Sequence, residues 1–246
     1  MDKKVKFFTK KKNILKYIWL WIKSLFFREN ILHAPGTHII TAYPGGGKTL
    51  LANVIKNEVD SEKYFFLCNL KEFDDVKTFE MTDIFKNNEQ IKRFPTIDEK
   101  GRKIYGIIFD EINLQFNKRL NRKSDYNDIF VGLVEFLVSH RHQNIPRIYF
   151  IGQKLELQDT QLQSLFKYWH DITKKVQRYK YWYYFKYCFM KIPVKLKVNN
   201  YIKIENNEYL QVGKRQKIKI NEKHLTTYNT KALADLYKDL PLLKTN

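Results

Sequence analysis

Residues Thr37 to Val54 read THIITAYPGGGKTLLANV, and this stretch restricts the fold more than any other in the chain. A β-branched run enters a turn that holds three of the nine glycines, and a helical pattern leaves it. Glycines let successive backbone N–H groups turn inward around an anion. The helix that follows aims its first donors and partial positive charge at the same point. Strand, glycine turn and helix in that order form a phosphate loop. The pattern asks for Gly-x4-Gly-Lys-Ser/Thr, and the chain offers Ala42, Tyr43, Pro44, Gly45, Gly46, Gly47, Lys48 and Thr49, departing only at the first glycine. On this reading Pro44 to Leu50 contact the nucleotide. Lys48 bridges the β- and γ-phosphates, and the Thr49 hydroxyl completes a magnesium shell. ATP and Mg2+ are the expected cofactors.

A second signal lies where the first requires it. Lys103 to Glu111 reads KIYGIIFDE, a buried-strand run that ends in two adjacent carboxylates. Asp110 is expected to hold the magnesium, and Glu111 to orient the water that attacks the γ-phosphate. A third strand, Arg147 to Ile151, closes on Gly152 and Gln153. Strand ends of a parallel sheet feed the ligand crevice at their C-terminal edge, so Gln153 is placed to sense the γ-phosphate or the water. In isolation the acidic pair also reads as a solvated strand end and the glutamine as a turn.

The resulting fold class is α/β: a P-loop nucleoside triphosphatase of the additional-strand type, with a mostly parallel sheet flanked by helices. Predicted elements are strand Thr37–Thr41, helix Lys48–Asn57, strand Lys63–Cys68, a helical insertion Leu70–Phe94 and strand Lys103–Phe109. Helix Asp128–His140, strand Arg147–Ile151 and helix Asp159–Tyr168 follow. The domain takes residues 31–178. Residues 179–246 form a basic, β-rich appendage in which VKLKV and KIKI alternate lysine with β-branched residues, closing on a short amphipathic helix Lys231–Leu243. Aromatics among lysines stack bases and neutralise phosphates; a sheet packed on the core with solvated lysines has the same letters.

Residues 1–30 carry nine Lys or Arg and the aromatic run ILKYIWLWIKSLFF, interrupted by Lys16 and Lys23. The run is too short to span a bilayer, and no small-residue cleavage site follows it. Ile14, Tyr17, Ile18, Trp21, Leu25 and Phe26 recur at helical spacing, so an interfacial amphipathic helix is expected; docking on protein is the alternative. A net charge of +19, from 45 basic against 26 acidic residues, attracts polyanions and acidic lipid, although an A/T-rich genome also raises lysine usage. Cys68 and Cys188 have no paired spacing, which argues against a disulfide framework or a zinc site.

Taken together, PGGGKT at Pro44–Thr49, DE at Asp110–Glu111, HRH at His140–His142 and IGQ at Ile151–Gln153 resemble the Zonular occludens toxin (Zot) family. These are assembly ATPases of filamentous phages, within the FtsK/HerA group of DNA-pumping motors. The similarity covers about residues 36 to 178. It implies nucleotide contact by Gly45 to Thr49 and hydrolysis through Asp110, Glu111 and Gln153. The implied setting is a homo-oligomeric ring at the cytoplasmic face of the host inner membrane, with single-stranded phage DNA, an anionic membrane surface and other phage assembly or capsid proteins as partners. Arg119, Arg122 and Arg141 are the candidates for a charge donated to a neighbouring subunit. The HRH segment favours a structural or subunit-contact role over metal binding. One departure stands out: Tyr181–Met190 is short and contains Lys186, where relatives carry a membrane span. Filling of an icosahedral capsid, or a nucleotide-binding scaffold without DNA transport, would use the same site.

Overall fold

The computed structural model describes residues 30–69, 76–79, 94–110, 124–140, 142–158, 160–179, 191–204, 208–221 and 223–224. The strands β1 (Gly36–Thr41), β2 (Tyr64–Cys68), β4 (Lys103–Phe109) and β5 (Arg147–Gly152) are apolar along most of their length. Such runs suit a parallel sheet covered on both faces. Helix α1 (Lys48–Asn57) covers one face, where Leu51, Val54 and Ile55 pack on Ile40, Phe66, Ile108 and Ile151. Helices α2 (Ser124–Ser139) and α3 (Thr160–Leu165) cover the other, where Leu133, Phe136 and Leu162 meet Ile39, Ile107, Phe109 and Phe150. Each large side chain buried this way stabilises the sheet by about 2 kcal/mol.

The sheet order is β3-β2-β4-β5-β1-β6-β7-β8, with β9 also on β7. Strands β3 (Lys77–Thr78) to β6 (Tyr168–Tyr179) run parallel, and β7 (Lys191–Lys203), β8 (Tyr209–Gln211) and β9 (Gln216–Lys219) add an antiparallel edge. Strand β5 therefore lies between β1, which feeds the glycine turn, and β4, which ends at Asp110.

Two elements differ from expectation. Lys77 and Thr78, inside the stretch predicted helical, pair with Leu67 and Cys68 as a short edge strand. The helix predicted to reach Tyr168 stops at Leu165, and Tyr168 opens a twelve-residue strand beside β1. Its pattern was hidden because a buried position is occupied by His170, which apolar periodicity counts as polar. His170 has a polar neighbour at each ring nitrogen within the sheet. Its Nε2 lies 2.9 Å from Nδ1 of buried His38 on β1, and its Nδ1 lies 2.8 Å from Asn200 on β7. His38 Nε2 reaches the Ala34 carbonyl at 2.8 Å, and Asn200 donates to Gln216 on β9 at 2.8 Å. Because His38 Nε2 donates to the Ala34 carbonyl, its Nδ1 can only accept, and a neutral His170 donates its one N–H either to His38 Nδ1 or to Asn200 Oδ1. The chain of contacts ties β1, which enters the glycine turn, to three other strands.

The predicted N-terminal helix of residues 1–30, the helix Lys231–Leu243 and most of the 70–94 insertion lie outside the described residues. Among those described, no helix is long and apolar enough to cross a membrane.

Candidate nucleotide site

The end of β1 is fixed before the turn begins. Thr41 Oγ1 donates to Asp171 Oδ1 at 3.2 Å and accepts from Trp169 Nε1 at 2.7 Å, pinning the strand to β6. Burial raises the Asp171 carboxyl above its ordinary range, and the Thr41 hydrogen bond opposes that shift. The chain then turns through Ala42–Gly47. Gly45 and Gly47 hold φ of 69° and 96°, in the left-handed region that glycine adopts without a steric penalty. Gly46 N–H donates to the Tyr43 carbonyl at 2.8 Å. A Cβ on Gly46 would sit 2.7 Å from both Ala42 Cβ and the Tyr43 carbonyl oxygen, so the tight turn also accounts for this glycine.

Helix α1 starts at Lys48, a residue that is 9% exposed. No carboxylate among the described residues pairs with its ammonium. Thr49, one residue on, donates from Oγ1 to Asp110 Oδ2 at 3.1 Å. Asp110 follows β4 and is 1% exposed. Two hard oxygens, a hydroxyl and a carboxylate, thus meet beside the glycine turn. That donor set fits a magnesium ion, which takes one or two protein oxygens and completes its shell with water and phosphate. Among the described residues no group of three His, Cys, Asp or Glu gathers into an all-protein metal cage.

Sequence reasoning missed the residue that holds Asp110 in place. Asn69, just past β2, accepts from the Asp110 N–H through Oδ1 at 2.7 Å and donates from Nδ2 to the Asp110 carbonyl at 3.1 Å. No sequence signal marks it, because the contact exists only through the pairing of β2 with β4. Gln153 sits at the end of β5, on the same edge as Asp110, but is exposed and hydrogen-bonded to no other described residue. Next to it, the Lys154 ammonium lies 5.5 Å from the ring centroid of exposed Tyr43. Glu111, Arg119, Arg122 and Arg141 lie outside the described residues. In the HRH segment, His140 is buried at the end of α2 with Nδ1 donating to the Leu137 carbonyl at 2.5 Å, and His142 is exposed.

No family model matches the chain. The crystal structure of the N-terminal domain of zonular occludens toxin from Neisseria meningitidis aligns with 80% of this chain and 100% of its own length. Its 19% identity and TM-score of 0.46 are too low to transfer a fold assignment or an activity. The uncharacterized 37.2 kDa protein of Acholeplasma phage L2 is 32% identical over 254 residues, a match that spans 93% of this chain and 77% of the relative. With that identity held across most of both sequences, the chain belongs to the same family as the phage L2 protein.

Proposed function

We propose that this chain is an ATP-hydrolysing P-loop motor of the additional-strand type, Zot-like and of the FtsK/HerA group, which moves phage DNA during virion assembly at the host inner membrane. The observation that carries the nucleotide part is the glycine turn closing against the Thr49–Asp110 pair. The place of β5 between β1 and β4 supports the additional-strand reading. Backbone amides of Gly45 to Lys48 bind the phosphates, and the Lys48 ammonium neutralises them. Thr49 and Asp110 would hold magnesium, which supplies charge neutralisation at the phosphates. Glu111 orients the attacking water, and Gln153 reads whether the terminal phosphate is present.

Changing Lys48 to Ala tests this directly. ATP turnover should fall roughly 100-fold or more, with the melting temperature close to that of the unchanged chain. A folded Lys48→Ala protein that hydrolyses ATP normally would refute the reading.

DNA as the cargo is supported by one face of β6, β7 and β9. Lys174, Lys197 and Lys217 align across the three strands, and Lys195 faces Lys219 two residues away. Opposed like charges destabilise a sheet, and no carboxylate among the described residues pairs with any of the five. Successive phosphates of a nucleic-acid strand would relieve that repulsion. The motor reading predicts hydrolysis stimulated by single-stranded DNA. Association with anionic membrane is assigned to residues 1–30, whose deletion should release the protein from acidic vesicles.

A further inference from the structure

We propose that Lys175, on β6, is a second cation at the phosphate loop and contacts the α- and β-phosphates of the nucleotide. The inference rests on the phosphate-loop reading above, and goes beyond it by assigning a residue far outside the loop motif.

The backbone of β6 aims this side chain. Ile172 pairs with Val198 on the face covered by α1, but the ladder shifts register before Lys174, which pairs with Lys197 on the opposite face. Lys175 then pairs with Leu196 and returns to the α1 face. A bulge that inserts one residue re-aims the side chains beyond it, and such bulges are frequent beside functional sites. Here the extra residue is Thr173.

The re-aimed pair lies against the first turn of α1. A Cβ built on Gly47 would stand 3.0 Å from Leu196 Cδ2 and 3.5 Å from Lys175 Cδ. Gly47 is the residue whose left-handed backbone turns the chain into the helix. From Cδ the ammonium extends two further bonds, about 2.5 Å, which brings phosphates held by the loop amides within its range. Lys175 is half-buried, and no carboxylate among the described residues pairs with it, whereas Lys63 and Lys77 pair with Asp60 and Glu99. A half-buried ammonium without a carboxylate partner, beside an anion-binding turn, gains most from the anion itself.

Strand order tells which phosphates it meets. Asp110 reaches the loop from β4, two strands to one side of β1, while Lys175 arrives from β6 on the other side. Thr49 and Asp110 mark the metal and the terminal phosphate. Lys175 therefore stands at the end of the chain of phosphates that ATP and ADP share.

The test is a titration of fluorescent ATP and fluorescent ADP against the full chain and its variants, each with a melting curve. Lys175→Ala should weaken both nucleotides by about tenfold and by equal factors. Lys175→Met, which keeps the apolar stem against Leu196, should lose as much, and Lys175→Arg should recover most of the affinity. Lys63→Ala, a charge loss at the opposite edge of the sheet, should bind as the unchanged chain does. If both Lys175→Ala and Lys175→Met bind normally while Lys48→Ala does not, the assignment of Lys175 is overturned and the loop reading stands. If only ATP is weakened, the placement at the shared phosphates is overturned. If Lys48→Ala binds both nucleotides normally, the loop reading itself fails.

Discussion

Asn69 shows how much of the site depends on one amide. Its two hydrogen bonds grip both sides of the Asp110 backbone, and they hold a carboxylate that must sit within hydrogen-bonding distance of Thr49. Removing that side chain leaves a buried N–H without its acceptor, which costs about 1–3 kcal/mol. Asn69→Ala should therefore melt several degrees lower and hydrolyse ATP more slowly, whereas Asn69→Asp keeps the acceptor and loses only the donor. Calorimetry and a steady-state ATPase assay read both effects; an Asn69→Ala protein with unchanged melting and turnover would show that the clamp is idle. At this scale the sequence was informative where chemistry is local. PGGGKT and the DE pair name their own neighbours, and Thr49 does meet Asp110. Asn69 was illegible because its role exists only through pairing between β2 and β4, and nothing in its flanking letters records that contact.

Among the elements, β6 joins what sequence reading kept apart. It borders β1, the strand that enters the glycine turn, on one side and the basic antiparallel strands on the other. The strands of the parallel core were legible because both faces are apolar, and α1 because its apolar spacing follows the glycine turn directly. Strand β6 was not legible, since its inward positions include a histidine made acceptable by polar partners on the two adjoining strands and on β9 beyond them. Those partners give the joint a pH dependence. Burial, followed by the neighbouring His170, drives the His38 pKa well below its ordinary value, and burial lowers His170 from 6.5 to about 4. Between those values the unfolded chain binds protons that the folded chain refuses, so stability is complete above about pH 6.5 and is lost as pH falls toward 4. For His170 alone the loss amounts to about 3 kcal/mol. Denaturant melts at pH 7.5, 6, 5 and 4 should show this decline, and His170→Gln should flatten it; an equally steep decline in that variant would move the cause elsewhere.

In the whole molecule, charge and cover are distributed unevenly. Helices α2 and α3 blanket one face of the parallel core, while the same face of β6, β7 and β9 carries the five aligned lysines. The sequence disclosed a basic, alternating segment, but which lysines share a face follows from register, and a shift of one residue would have sorted them differently. If this face holds a single strand of DNA, binding should weaken with salt, by about 0.7 in log K per decade of salt for each phosphate contacted. The double variant Lys197→Ala/Lys217→Ala should then show a slope shallower by about 1.4 than the unchanged chain. An unaltered slope would place the DNA on another surface.

The insertion at Thr173 sets which face Lys174, Lys175 and Val176 take on β6, up to the second register shift before Gln177. Lys174 and Lys175 are consecutive, so ironing out the bulge with Thr173 kept in the ladder would exchange their sides: Thr173 would pair with Lys197, Lys174 would turn inward to meet Leu196, and the outer row would begin one residue later. An ammonium would still reach the glycine turn. Tandem lysines thus make the inward contact insensitive to a one-step slip of the hairpin, while the outward row, which needs three strands in step, would lose its alignment.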